Sequence, residues 1–324
     1  MGRAGGLGRC GVQHHRRLPR ARRGPGQPAP GGDLPERPSA LSEKPADSPL
    51  WHGDSPLPPA PLGPLGWARV LLRGAPLGLI TFGCLALLLL CRLIERPLCG
   101  HARPVTPFIT QFVCKSAFLC LGMKHRTLGT PMAHRGAIVA NHASWLDIYA
   151  LNAPQRIYYV AKAEVAGWPG IGWLARATGT VFIRRDRREA KAQQEVFEER
   201  LRMNHRLLFF PEGTSTDGLR VLPFKPTLFQ AFYSHDMPEI LHIQPVTVVY
   251  HAPEGEDPRF YGWWGDMDFG SGLLRVLGAR RNGAVDILFH APIPVAGAGG
   301  RKALAAACEA AVREGLHARL PAAV

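Results

Sequence analysis

The hydrophobic and polar positions divide the chain into three regions. Residues 1–65 are rich in Pro, Gly and Arg and have no hydrophobic period. Residues 66–125 contain two long apolar stretches, and residues 126–324 alternate between short apolar runs and more polar segments. A stretch without a hydrophobic period cannot bury enough apolar surface to offset its chain entropy. The pattern therefore predicts a disordered basic tail over 1–65, a membrane-anchoring helical segment over 66–125 and a folded domain over 126–324. The alternative for the tail is that translation starts downstream of it.

The two apolar stretches indicate contact with a lipid bilayer. The first, 75–91, holds no charged residue and is bracketed by arginines, and the second, 105–123, has Lys115 as its only charged residue. The first stretch is near the lower limit for crossing a hydrocarbon core of about 30 Å. Because basic residues flank both ends, charge does not select an orientation for a full span. We therefore predict a helical hairpin anchor, split by Pro97 and the Cys-Gly-His turn at 99–101, on the cytoplasmic face of the inner membrane. A single span and a buried core helix are the alternatives.

From Gly136 onward the pattern alternates between strands and helices. Strands are predicted at 137–140, 157–161, 181–184, 207–210, 243–250 and 285–290, and helices at 145–151, 168–177, 188–204, 225–234 and 301–320. Such alternation is typical of an α/β fold, with a mostly parallel sheet flanked by helices. Sites in these sheets form where strands end. His142 follows the first strand and Pro211 follows the fourth, so the site is predicted between these two strand ends.

Composition narrows the classes of partner. The formal net charge of +14 suits an anionic partner such as a membrane surface or a phosphate-bearing substrate. The sequence has no signature of a nucleic-acid-binding module, so no nucleic-acid partner is predicted. The seven cysteines include no Cys-x-x-Cys pair. An odd number of cysteines without such pairs is typical of a reducing compartment, with neither a disulfide framework nor a zinc cluster.

His142 and Asp147 are the strongest candidates for chemistry. They lie in the sequence Asn-His-Ala-Ser-Trp-Leu-Asp at 141–147. Five residues along one continuous helix would point the two side chains apart. They can meet if His142 precedes the helix and Asp147 lies within it, with Asn141 as a capping residue. Asp147 would then orient the imidazole, and His142 would act as a general base without a protein nucleophile. The alternatives are a capping histidine beside a surface aspartate, and a metal pair, although no further ligand is near in sequence.

Three further motifs follow along the chain. Residues 179–185 read Gly-Thr-Val-Phe-Ile-Arg-Arg, residues 210–214 read Phe-Pro-Glu-Gly-Thr, and residues 243–246 read Ile-Gln-Pro-Val. Together with the His142 motif, in this order, they resemble the four motifs of the glycerolipid acyltransferase family, of the lysophosphatidate acyltransferase type. The resemblance covers the chain from Asn141 to Val246.

The resemblance implies roles for single residues. Arg185 matches the family's arginine, whose planar fork suits a phosphate, although a solvated run of arginines is the alternative. The implied set is His142 and Asp147 for catalysis, with Arg185, Glu212, Gly213, Thr214 and Lys225 for substrate binding. In this set Glu212 bonds hydroxyls of the acceptor, and Lys225 is an anion contact.

The resemblance also implies the reaction. A fatty acyl group moves from acyl-CoA or acyl-carrier protein to the hydroxyl of a lysolipid of the 1-acylglycerol-3-phosphate type. No metal, no other cofactor and no acyl-enzyme intermediate is implied. The partners are thus the lysolipid acceptor, the acyl donor and the membrane. The alternatives are a catalytically inactive lipid-binding protein and a hydrolase that uses the same base on water.

One departure from the family pattern bears on the acceptor. The family's third motif usually continues Thr-Arg-Ser, whereas this chain has Ser215 in place of the arginine and Asp217 two residues later. A cation suited to phosphate is therefore missing. The sequence here is similar to that of the branch that acylates lyso-ornithine lipid, which carries an amine and no phosphate. We expect Asp217, Asp266 or Asp268 to contact that amine.

Overall fold

The computed structural model describes residues 51, 53, 55–59, 61–184, 190–233 and 239–320. All of them lie within the unit Ser48–Val324. Most of the predicted tail, and Arg185 among the predicted site residues, fall outside the described residues.

A mixed sheet forms the centre of the described part. Its eight strands are β1 (Lys124–Leu128), β2 (Gly136–Ala140), β3 (Tyr158–Lys162), β4 (Val181–Ile183), β5 (Leu207–Phe209), β6 (His242–His251), β7 (Ala284–Phe289) and β8 (Ile293–Pro294). Their order is β1-β7-β6-β2-β5-β3-β4, and β8 pairs with one end of β6. The pairs of β6 with β7 and β8 are antiparallel, and the remaining pairs are parallel. The predicted mostly parallel α/β sheet is confirmed.

Helices cover both faces of this sheet. They are α1 (Pro64–Cys99), α2 (Thr106–Leu121), α3 (Asp147–Asn152), α4 (Ile171–Thr178), α5 (Ala190–Arg202), α6 (Phe269–Gly278) and α7 (Arg301–His317), with 3₁₀ helices at Ala163–Gly167 and Pro226–Tyr233. Strand β2 shows the two faces clearly, because successive side chains of a strand point to opposite sides. Ala137 and Val139 join a core with α5 and α7, while Ile138 and Ala140 join a core with α2 and α3.

The anchor segment is a helical pair whose outer surface is apolar. Helix α1 is long and apolar enough to cross a membrane by length and composition, and only 17% of its apolar window is buried. Large apolar side chains such as Leu72, Leu79 and Leu93 are exposed along it. Helix α2 packs beside α1. At its other end α1 is tied to the domain, because Arg69 and Arg73 donate hydrogen bonds to backbone carbonyls at the end of α6.

Several local predictions were wrong. Helix α1 continues through Pro97 to Cys99, so of the predicted break only the Cys-Gly-His turn separates the two helices. Strand β1 was missed because its sequence, Lys-His-Arg-Thr-Leu, has no alternating apolar pattern, and it crosses the predicted boundary at residue 126. Strand β8 and helix α6 were also missed. The predicted helix over 225–234, by contrast, is present as a 3₁₀ helix over Pro226–Tyr233.

Candidate active site

The loop between β2 and α3 begins with a side chain that joins two strands. The Asn141 side chain donates from Nδ2 to the carbonyl of Val248 and accepts from the Val248 N–H, at 2.9 and 2.8 Å. Asn141 was predicted to cap the helix, and this prediction was wrong. Its amide instead pairs with the backbone of the neighbouring strand β6. The contact fixes where the loop between β2 and α3, residues 141–146 and here called the catalytic loop, leaves the sheet.

His142 and Asp147 meet as their spacing requires. His142 lies in the loop, Asp147 is the first residue of α3, and Nδ1 of His142 donates to Oδ2 of Asp147 at 2.7 Å. Because the carboxylate only accepts, the proton is on Nδ1, and Nε2 carries the lone pair. In the part of the chain that the structure describes, Nε2 has no hydrogen-bond partner. The imidazole is partly exposed, and the Phe210 ring stacks on it at 4.0 Å between centroids.

Asp147 is held by four donors. Besides His142, its Oδ2 accepts the N–H groups of Ala143 and Ser144 at 2.9 and 3.1 Å, and its Oδ1 accepts the Tyr250 hydroxyl at 2.7 Å. The carboxylate is fully buried. With this many fixed partners it has little freedom to rotate, so the imidazole is held in one orientation. Tyr250 was not identified from the sequence, since only the pairing of β6 with β2 brings it here.

Glu212 holds the catalytic loop from the other side. Its two carboxylate oxygens accept backbone N–H groups from His142 and from Leu222, each at 2.8 Å. The residue is 1% exposed. Burial raises the pKa of Glu212 to about 8, against the lowering effect of the two backbone hydrogen bonds. The predicted contact of Glu212 with acceptor hydroxyls stays a prediction, whereas its contacts here join the two loops of the site.

Gly213 and Lys225 lie together next to Glu212. Gly213 has φ +74°, a left-handed conformation that favours glycine, and a Cβ there would lie 2.6 Å from Nζ of Lys225. The absence of a side chain at Gly213 therefore leaves room for the side chain of Lys225. Thr214 follows, and its hydroxyl accepts the Trp51 N–H at 3.4 Å. Thr216 donates its N–H to the His142 carbonyl at 2.9 Å, so this loop also contacts the base directly. Thr216 was not identified from the sequence as a site residue.

The carboxylates suggested for an amine differ in their surroundings. Asp217 is buried, and it pairs with Arg220 at 2.8 Å. Its charge is thus matched within the chain, and the expectation that Asp217 contacts an amine is not supported by its position. Asp268 is exposed and caps α6 by accepting the Ser271 N–H. Asp266 is also exposed.

The segment that carries Asp266 and Asp268 reaches the catalytic loop. The backbone N–H of Trp263 donates to the carbonyl of Ala143, next to His142, at 2.9 Å. The rings of Trp168 and Trp263 lie edge to face, 6.4 Å apart.

Comparisons with known proteins identify the family of this chain. A family model described as Acyltransferase matches residues 125–251. A lyso-ornithine lipid O-acyltransferase of Rhodobacter capsulatus is 59% identical over 271 residues, which cover 84% of this chain and 98% of that relative. The chain belongs to the glycerolipid acyltransferase family. A second glycerolipid acyltransferase, a lyso-ornithine lipid O-acyltransferase of Brucella abortus, is 36% identical over 68% of this chain and 85% of its own.

A solved glycerolipid acyltransferase shares the fold. The crystal structure of the 1-acyl-sn-glycerophosphate acyltransferase PlsC from Thermotoga maritima matches with a TM-score of 0.57 at 20% identity, over 79% of this chain and 98% of that one. Together with the family, these relatives make the protein a lysolipid O-acyltransferase of lipid biosynthesis. The exposed apolar helix α1 and the lipid substrates of the relatives indicate that it associates with membranes.

Proposed function

We propose that this enzyme transfers a fatty acyl group from acyl-CoA or acyl-carrier protein to the hydroxyl of lyso-ornithine lipid. His142 is the general base and Asp147 its orienter. The base and its orienter both come from the chain, and the proposal includes no metal and no prosthetic group. The observation that carries it is the 2.7 Å contact between Nδ1 of His142 and Oδ2 of Asp147, which leaves Nε2 as a proton acceptor.

The proposed reaction proceeds in two steps. The acceptor hydroxyl gives its proton to Nε2 of His142 while its oxygen attacks the thioester carbonyl. The tetrahedral intermediate then expels the thiolate, which takes the proton from Nε2 and leaves as the thiol. General base catalysis of this kind contributes about 10²–10⁴ in rate. Asp147 stabilises the imidazolium that exists between the two steps.

The relatives support lyso-ornithine lipid as the acceptor. The relatives from Rhodobacter capsulatus and Brucella abortus both carry that activity in their names. Ser215 stands where a cation for phosphate is usual in the family. Asp266 and Asp268, which are exposed near the catalytic loop, are the carboxylates proposed to contact the ornithine amine.

On the acceptor side we propose that Gly213, Thr214 and Lys225 line the head-group position. Lys225 would contact the ornithine carboxylate. Arg185 is kept as an anion contact, as its motif implies.

We propose that the reaction takes place at the cytoplasmic face of the inner membrane. The exposed apolar surface of α1 and α2 supports insertion of the helical pair into one leaflet. The cysteines of the described residues are all unpaired, which is typical of a reducing compartment.

Acyl transfer from a labelled thioester tests the proposal. Membranes containing the protein receive lyso-ornithine lipid or lysophosphatidate in parallel, with His142→Ala as the control. We expect label in ornithine lipid and none with the control. Label only in phosphatidate would replace the proposed acceptor, and label in free fatty acid would indicate hydrolysis. Activity that survives His142→Ala would refute the proposed base.

The role of Ser215 has its own test. Ser215→Arg restores a cation that suits phosphate, so we expect the ratio of lysophosphatidate to lyso-ornithine lipid used by the enzyme to rise. Ser215→Gln, which adds length without charge, is the matched control. An unchanged ratio in the arginine variant would mean that this position does not select the acceptor.

A further inference from the structure

A polar cleft lies away from the catalytic loop. It has a volume of about 590 Å³ and is bounded by the turn between α1 and α2, the end of α4, and α5. One of its lining residues, Arg200, has its guanidinium 5.1 Å from the ring centre of Tyr158, the first residue of β3, whereas His142 comes two residues after β2 ends. Strands β2, β5 and β3 are parallel, and Tyr158 and Ala137 both pair with Leu207, so Arg200 lies at the level of the beginning of β2, whereas His142 lies beyond its end. The cleft is therefore separate from the site described above.

Three arginines line this cleft, namely Arg103, Arg176 and Arg200. Nη1 of Arg103 donates to the Ala177 carbonyl at 2.7 Å, and Arg200 donates to the Gly179 carbonyl. Both carbonyls are at the end of α4, where cations are favourable. These contacts hold the guanidinium groups in place. They use only part of each guanidinium, since arginine has five N–H donors.

The cleft keeps like charges close together. Burial, together with repulsion by Arg92 and Arg200, lowers the pKa of Arg103 to about 10. The pKa of His205 is lowered to about 4, again first by burial and then by Arg200 and Arg103. An imidazole with this pKa is neutral at physiological pH and adds no charge. The positive potential of the cleft therefore comes from the arginines.

Few carboxylates oppose these charges among the described residues. Glu95 faces the turn, but its oxygens are occupied by Arg92, by the hydroxyl of Thr106 and by the backbone N–H groups of Val105 and Thr106. Glu199 lines the cleft, is half-exposed and contacts His101 at 3.2 Å. An anion in the cleft would offset the repulsion between the arginines, and its oxygens would accept from their remaining N–H groups.

Apolar side chains around the cleft indicate where such an anion comes from. Val196 lines the cleft and is 45% exposed, and Val105 and Trp173, 53 and 62% exposed, lie two and three residues along the chain from the lining residues Arg103 and Arg176. Val105 is in the turn that joins the two anchor helices, and Trp173 is on the same side of α4 as Arg176, three residues before it. Arginines within an apolar rim at the end of a membrane anchor suit a lipid whose phosphate is bound and whose chains stay in the bilayer. A soluble phosphate has no apolar part that could contact these side chains.

We propose that this cleft binds the phosphate of an anionic phospholipid of the membrane on which the enzyme works. Arg103, Arg176 and Arg200 contact the phosphate, and Val105, Trp173 and Val196 contact the acyl chains. The site is distinct from the acceptor site, so it does not depend on which lysolipid is acylated.

Titration calorimetry of the full-length protein in detergent micelles tests the proposal. The probes are dihexanoyl phosphatidylglycerol, dihexanoyl phosphatidylcholine and inorganic phosphate. Arg176→Gln should weaken binding of the phosphatidylglycerol probe about tenfold, as expected for the loss of one charged hydrogen bond. Arg281→Gln removes an exposed arginine from the connection between α6 and β7 and is the matched control, expected to leave the affinity unchanged.

Each outcome decides the proposal. An affinity that Arg176→Gln leaves unchanged, or an equal loss in Arg281→Gln, would refute a specific site. Equal affinity for phosphatidylcholine would remove the anionic preference, and tight binding of inorganic phosphate alone would make the site one for soluble phosphate.

Hydrogen exchange of the unchanged protein gives a test that needs no variant. The phosphatidylglycerol probe should slow exchange in residues 100–105 and at the end of α4, and protection only elsewhere would count against the cleft. Neither measurement uses acyl transfer, so failure of this proposal is separate from failure of the proposed reaction.

Discussion

Replacing Glu212 by Gln tests whether this residue positions the catalytic loop. Each carboxylate oxygen of Glu212 accepts one backbone N–H at 2.8 Å, from His142 and from Leu222. Gln has one carbonyl oxygen, and its amide N–H₂ would face the second donor. A buried donor that loses its acceptor costs about 1–3 kcal/mol. We therefore expect Glu212→Gln to lower the free energy of unfolding by about 2 kcal/mol.

The same change should affect the rate more than the binding of the acceptor. A displacement of about 1 Å at a catalytic group can lower the rate by about 10²-fold, so we expect kcat to fall by about 10- to 100-fold. The KM for the acceptor should change little, because Glu212 is 1% exposed. Initial rates against acceptor concentration give both constants, and denaturant unfolding followed by tryptophan fluorescence gives the stability.

Glu309→Gln is the matched control for this experiment. Glu309 also accepts a backbone N–H at 2.8 Å, from Phe224, and also forms a salt bridge with Arg313. It has no contact with His142, so the variant should lose some stability and keep its kcat. The reasoning is refuted if Glu212→Gln raises KM while kcat and stability stay unchanged, because Glu212 would then contact the acceptor directly.

Three further predictions concern the same site. Tyr250→Phe removes the donor to Oδ1 of Asp147, and kcat should fall by about tenfold at unchanged KM in steady-state kinetics; an unchanged kcat would mean that the hydroxyl does not help to orient the pair. Gly213→Ala combines a left-handed backbone with a 2.6 Å approach to Lys225, whereas Gly255→Ala meets only the backbone strain at φ +81°; the first should therefore lower the unfolding midpoint more than the second, and equal shifts would exclude the lysine contact as the cause. The raised pKa of Glu212 means that the folded state holds its proton more tightly than the unfolded state, so stability should fall as the pH rises from about 4.5 to about 8; unfolding measured over this range should show a smaller slope in Glu212→Gln, and the same slope in both proteins would contradict the shift.

The catalytic pair could be predicted because its geometry is local. Asn141 and the strand before it place His142 in a loop, and five residues then suffice to bring Asp147 within reach. The buried strands β2 and β6 could be predicted for a similar reason, since continuous apolar runs need no partner to be recognised. The roles of single side chains at these strand ends were harder to predict from the sequence, as Asn141 shows. Its amide bonds to Val248, more than 100 residues away, instead of capping the nearby helix.

The rest of the site depends on contacts between distant parts of the chain. Tyr250 reaches Asp147 only through the register of β6 against β2, which no local pattern contains. Strand β1 has a polar sequence because it lies at the edge of the sheet, where β7 is its one partner among the described strands. Asp217 was expected to contact an amine because its charge can be read from the sequence, whereas its contact with Arg220 cannot.

The tie between α1 and α6 has a consequence for how substrates are presented. Arg69 and Arg73 fasten the membrane helix to the end of α6, and the segment before α6 bonds through Trp263 to the loop of His142. His142 is thus connected to the anchor by two sets of hydrogen bonds, one at the end of α6 and one at the backbone of Trp263. We expect His142 to stay at a constant depth relative to the lipid surface. A lysolipid would then be selected partly by the height at which its hydroxyl sits in the leaflet, before any contact with its head group is made.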